Sequence, residues 1–275
     1  MASTEISQTD SRIVAALVTD ALLPALAALS DDYPLAAMGL PGRLRIEFES
    51  ESVAGDVVFR GGTVHTESAG GWADAVVRMH SSEAILDSLR KSRAPRKVPF
   101  DLSKSIQRMD MIWRFLGLPL NALAATYSPF TRPSMKGRIA LSRAMIEAAM
   151  RAAGVAARHD PASLEALHGF NGETLTVRIG NISCGSIAFL PECVAYSPDP
   201  ASSATCTLRF REPDMPFLIA TKKLNPAEEY QSGRISITGE SVLVVAWAHL
   251  LHRCTDSLKY APWREGALYS DKIKR

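Results

Sequence analysis

The chain lacks most of the features that make a function recognisable at sight. Aromatic residues are scarce: 7% against 47% hydrophobic overall, so a core or cavity built from this chain is largely aliphatic. There are four cysteines in 275 residues, and no two stand as Cys-x-x-Cys. That excludes a disulfide framework and makes a zinc site improbable, so the thiols are read as reduced. A net charge of +2 lacks the basic excess expected of a nucleic-acid-binding domain. The strongest apolar run, Val242 to Leu251, is about half the roughly 20 residues of a membrane span. The stretch Ile13 to Leu29 contains Asp20 and Pro24 and reads as a core helix. No basic segment followed by an unbroken apolar core opens the chain, and the last three residues do not match a peroxisomal signal. A cytoplasmic protein is the resulting expectation. Gly-x-Gly-x-x-Gly, P-loop, Gly-x-Ser-x-Gly and His-Glu-x-x-His patterns are all missing, which removes the common nucleotide, hydrolase and metalloprotease classes and leaves no cofactor implied.

What the chain does have is a repetition. Arg43-Leu44-Arg45-Ile46-Glu47-Phe48 alternates polar and apolar residues, and Thr174-Leu175-Thr176-Val177-Arg178-Ile179 repeats the alternation about 130 positions later, the length of a small domain. Gly55 to Phe59 and Asp74 to Met79 follow the first; Gly185 to Phe189 and Ala204 to Phe210 follow the second. Each block is preceded by a helical stripe: Ile13, Val14, Leu17, Val18, Ala21 and Leu22 in one, Leu141, Ala144, Met145, Ala148 and Ala149 in the other. Pro24 is expected to kink or end the first of these helices. Each block also reaches a later helical stretch with a tryptophan, Trp113 or Trp247, whose matching positions point to a shared packing role. The reading is α+β: two copies of a layered domain with a twisted, mostly antiparallel sheet covered by helices. The copies span residues 1–130 and 131–275, with the boundary in the proline-bearing segment 127–133.

The copies are unequal. Gly233-Arg234-Ile235-Ser236-Ile237-Thr238-Gly239-Glu240 is an alternating strand bounded by glycines and leading into an apolar helix, whereas the matching Pro99 to Ser105 has neither glycine. The order of helix, meander, short helices and glycine-bounded strand before an apolar helix resembles the sterol-carrier-protein (lipid-transfer) domain. The resemblance is clearest in the second copy and reaches the first, degenerate one through its likeness to the second. It implies an apolar cavity between sheet and helices, with Phe217, Leu218, Ile235, Ile237, Val242, Val245, Ala246 and Leu250 as its lining, and a lipid, isoprenoid or polyketide-like ligand. Independently of any family, the same side chains are what an α+β core requires.

Few residues suggest chemistry. His249 and His252 lie three apart on a helix with Cys254 close by, but no further ligand stands at a metal-site spacing, so they read as helix-end histidines. Cys184, Cys193 and Cys206 fall in or beside strands and read as small hydrophobes. His65 and His80 have no counterparts in the second copy, where Ala195 and Arg211 stand; with Cys206 they are the weak catalytic candidates. Arg90, Lys91, Arg93, Arg96 and Lys97 form the one basic run. It is ordinarily a solvated loop; its functional reading is a weak, salt-sensitive docking patch for an anionic membrane or an acyl carrier. Three readings stay open: a carrier of a hydrophobic small molecule; an enzyme using the same cavity for isomerisation, cyclisation or hydrolysis; and a scaffold or subunit whose copies bury their apolar faces on each other or on a protein partner.

Overall fold

Pro24 marks a change of helix type rather than an end. α1 (Gln8–Ala16) runs into a π-helical turn (Leu17–Leu22), then α2 (Leu23–Ala28) and a 3-10 turn (Leu29–Asp31). The Leu23 N–H donates to the carbonyl of Val18, five residues back. A proline has no N–H for the carbonyl four residues before it, and the wider turn just ahead of Pro24 accommodates that loss without breaking the rod. The computed structural model describes residues 8–31, 41–60, 63–79, 82, 100–101, 111, 135–220 and 223–259. His80, the basic run from Arg90 to Lys97, Trp113 and the 127–133 boundary lie outside the described residues. By length and composition Thr9–Asp31 could cross a membrane, but 67% of its most apolar window is buried inside the protein, as befits a core helix.

The architecture is α+β, with two five-stranded mixed sheets. The first contains β1 (Gly42–Phe48), β2 (Val53–Arg60), β3 (Thr63–Ser68), β4 (Ala75–Met79) and β5 (Phe100–Asp101) in the order β3-β2-β1-β4-β5. The long helix α3 (Met135–His159), the short α4 (Pro161–Glu165) and a 3-10 turn (His168–Phe170) follow. The second sheet contains β6 (Thr174–Ile179), β7 (Ile182–Phe189), β8 (Val194–Ser197), β9 (Cys206–Phe210) and β10 (Ile235–Gly239), with β8-β7-β6-β9-β10 as its order. Between β9 and β10 lie α5 (Met215–Ala220) and α6 (Pro226–Gln231), the latter capped by Asn225, whose Oδ1 accepts from the Ala227 N–H at 3.0 Å. α7 (Val242–Lys259) closes the described chain.

The expected meander holds for three strands of each sheet; the fourth crosses over and pairs parallel with the first. Leu44 faces Ala75 and Leu175 faces Cys206 in those parallel pairs. On the antiparallel side Ile46 faces Gly55 and Val177 faces Gly185, while Val58 faces His65 and Ala188 faces Ala195. Gly239 ends β10 at φ +89°, and a Cβ there would collide with the Thr205 carbonyl oxygen, so the glycine after this strand is a steric requirement.

The helices belong to both halves. α1 and α2 lay Ala15, Leu23 and Ala27 on the first sheet, against Leu44, Phe48, Val57 and Phe59. α3 lays Ile146, Met150 and Ala153 on the second sheet, against Leu175, Val177, Ile187 and Phe189. Yet Ala21 of the π turn belongs to the second core, Ala140 and Ala144 of α3 belong to the first, and Ile13 and Ala16 pack directly on Val155. Polar ties run the same way. Arg253 of α7 donates from Nη1 to Asp10 Oδ1 (2.8 Å) and from Nε to Asp160 Oδ2 (3.1 Å), and Arg158 of α3 donates to Asp20 Oδ2 at 2.6 Å.

Candidate functional site

An apolar cavity of about 870 Å³ lies against β9 and β10 of the second sheet. Leu208 and Phe210 from β9 and Ile235 and Ile237 from β10 form its floor, each on the alternate positions that a strand turns to one face. Pro216 and Ile219 of α5 and Pro226 and Tyr230 of α6 line one end. α7 presents Val244, Trp247, Ala248, Leu251, Cys254 and Thr255, the repeat of three and four that keeps residues on one helical face. α3 contributes Met145, Ile146, Ala148, Ala149 and Ala152, and the last wall is the N-terminal helix of the chain, through Val14, Leu17, Val18, Ala21 and Leu22.

Among the described residues, no charged side chain belongs to this lining. Thr255 Oγ1 is satisfied within its own helix by the Leu251 carbonyl (2.8 Å), and Trp247 Nε1 donates to the Ala149 carbonyl (3.4 Å). Cys254 donates to the Ala152 carbonyl at 3.3 Å, and burial pushes its thiol up to about 12. The phenol of Tyr230, on an exposed residue, is the one remaining hydroxyl in the lining. An apolar space of this kind favours an apolar occupant whose polar end, where there is one, sits at the rim.

Of the eight lining residues expected from the sequence, Ile235 and Ile237 face the cavity. Phe217 and Leu218 are replaced by their neighbours Pro216 and Ile219 on α5. Val242, Val245, Ala246 and Leu250 also lie outside this lining. Val242 and Val245 are 45% and 66% exposed, while Ala246 and Leu250 are buried with Leu243 in the second core. The cavity face of α7 is the one between these two. The wall formed by the first helix was not foreseen; the matching apolar stripes of the two preceding helices were its one sequence signal.

Of the catalytic candidates, the two among the described residues, His65 and Cys206, lie on different sheets. Cys206 is fully buried in β9, opposite Gly239 of β10, and burial followed by the charge of Glu240 raises its pKa. His65 lies on β3 with Nε2 3.2 Å from Glu67 Oε1, at a separate polar cleft of about 390 Å³ between the sheet edges. That cleft also contains Cys184, Tyr196, Arg143 and Arg151. Burial pushes the Cys184 thiol up to about 11 despite the opposing charge of Arg143, and burial followed by Glu147 raises the Tyr196 phenol. Arg151 stacks over the Tyr196 ring at 4.4 Å and donates to Glu147 at 2.8 Å. A nucleophilic thiol needs the opposite shift, toward thiolate. Among the described residues no group of three His, Cys, Asp or Glu is placed to hold a metal ion; His252 instead stands 3.4 Å from Asp256 on the next turn.

No family model matches the chain, and no curated protein matches it. Among solved structures it is similar to one described as a UbiJ-SCP2 ubiquinone synthesis protein, at 19% sequence identity over 42% of this chain and 96% of the other, with a TM-score of 0.32.

Proposed function

We propose that the chain binds a hydrophobic small molecule, such as a lipid, isoprenoid or polyketide, in the cavity against β9 and β10, as a carrier or presenting protein. The observation that carries this reading is the lining: a space of about 870 Å³, toward the top of the roughly 300–1,000 Å³ usual for ligand pockets, with no charged side chain among the described residues that line it. The part of the ligand held inside is uncharged, because a bare carboxylate or ammonium without a partner would be expelled to the rim. A ligand of about 20 heavy atoms, at roughly 0.3 kcal/mol per atom, reaches about 6 kcal/mol, a Kd in the tens of micromolar. Such affinity suits a molecule that must be handed on. The enzyme reading has less support, since the raised thiols of Cys206 and Cys254 are poor nucleophiles.

The test is native mass spectrometry of the purified chain, with organic extraction of what accompanies it, followed by titration with neutral hydrophobic probes read through Trp247. Saturable uptake of a neutral hydrophobic probe in the micromolar range, lost in Ala149→Trp while the circular dichroism spectrum is kept, is the expected result. A protein that is empty as purified and takes up no alkanol, sterol or isoprenoid alcohol overturns the carrier reading.

A further inference from the structure

The two helices that precede the sheets stand in equivalent places. Thr19 of the π turn packs on Gly55 of β2, where an added Cβ would approach Thr19 Cβ to 3.1 Å; Met150 of α3 packs on Gly185 of β7, where it would approach Met150 Cε to 3.2 Å. Those two glycines occupy matching registers, opposite Ile46 and Val177. With the helices aligned by these contacts, Val14, Leu17, Val18 and Ala21 fall on Met145, Ala148, Ala149 and Ala152 at one constant spacing in the chain. All eight of these residues line the same cavity.

From this coincidence we infer that the halves are two copies of one unit and that the ligand site is built at their junction, gripped by the same face of two equivalent helices. This deepens the carrier reading and rests on it. The sheet floor and α7 come from the second copy, but the wall opposite α3 comes from the first, so neither copy holds a complete site. The paired faces differ in bulk: where the first helix has Leu17 and Val18, α3 has Ala148 and Ala149. The alanine face therefore makes the room, and the leucine–valine face limits it. Together they determine how long a hydrophobic chain the site accepts.

Full-length variants test this with N-phenyl-1-naphthylamine as a neutral fluorescent probe and the n-alkanols from octanol to hexadecanol as competitors. Val18→Trp is expected to weaken probe binding at least ten-fold. Leu26→Ala, on the same rod but packed on the first sheet, lowers the melting temperature and changes affinity less than two-fold. The double change Ala148→Leu with Ala149→Val installs the counterpart side chains and shifts the preferred alkanol to a shorter chain; Leu17→Ala shifts it to a longer one, and reads the same wall should Val18→Trp not fold. If the unaltered protein binds no probe, the carrier reading itself fails. If it binds, and Ala149→Trp abolishes binding while Val18→Trp and Leu17→Ala leave affinity and chain-length preference unchanged, the carrier reading stands and the shared site is overturned.

Discussion

Replacing Asp56 by Asn removes a charge that accepts four hydrogen bonds in the first sheet. Asp56 has a fully buried side chain on β2. Its Oδ1 accepts from Arg45 Nε at 2.7 Å, and its Oδ2 accepts from Arg45 Nη2 and Arg43 Nη1, both at 2.9 Å, and from the Gly70 N–H at 3.3 Å. Burial pushes this carboxyl up, but the hydrogen bonds from Arg45, Arg43 and Gly70 outweigh it and hold the pKa below the ordinary aspartate value. Breaking a buried ion pair costs about 3–5 kcal/mol. Here the Arg45 and Arg43 side chains keep 19% and 25% of their exposure, and an amide oxygen still accepts one bond, so about 2–4 kcal/mol is expected. For a chain of this size that lowers the melting temperature by roughly 4–8 °C at pH 7. A depressed carboxylate stabilises the fold above its unfolded pKa and loses that contribution as pH falls through the folded one. The gap between wild type and Asp56→Asn is therefore constant from pH 7 to about 5 and closes below about 4. Differential scanning calorimetry across pH 2–8 measures it. No loss at neutral pH, or a gap that widens on acidification, would refute the argument.

Two further outcomes are expected. Gly239→Val forces a β-branched side chain into a positive-φ site beside the Thr205 carbonyl, and should cost at least about 1–3 kcal/mol, seen as a lower chemical-denaturation midpoint; an unchanged midpoint contradicts the close approach. Of the four thiols only Cys193 is exposed, so a disulfide reagent at pH 8 should modify one thiol quickly and the others only on unfolding, the Cys184 and Cys254 thiols lying at about 11 and about 12. Two or more fast thiols in the folded protein would contradict that burial.

Strand positions were readable because alternation leaves little freedom. Leu175, Val177 and Ile179 are buried, and the glycine-bounded segment becomes β10, with Ile235 and Ile237 on the cavity side. Helix rotation was not readable in α7. From Val242 to Leu251 almost every residue is apolar, so the pattern has no polar face to set its phase, and the stripe chosen from sequence missed Val244, Ala248 and Leu251. α5 is alike: in Met-Pro-Phe-Leu-Ile-Ala every residue is apolar, so nothing in the pattern marks Pro216 and Ile219 as the ones that face the cavity. The contribution of Val14 to Leu22 was hidden differently. An apolar stripe reports that a helix is covered, and says nothing about which half of the chain covers it.

The π turn at Leu17–Leu22 acts as a phase adjuster in a rod that must satisfy two customers. Successive α-helical residues rotate by roughly 100° about the axis, so removing one residue from this turn would swing Leu23 and Ala27 away from the first sheet while Ile13 and Ala16 stayed on Val155. It would also restore an α-helical ladder in which Pro24 has no N–H to offer. Point substitutions in this stretch alter the cavity wall, whereas single-residue insertions and deletions would uncouple the two halves. The packing therefore constrains the length of this stretch more tightly than the identity of any one of its side chains.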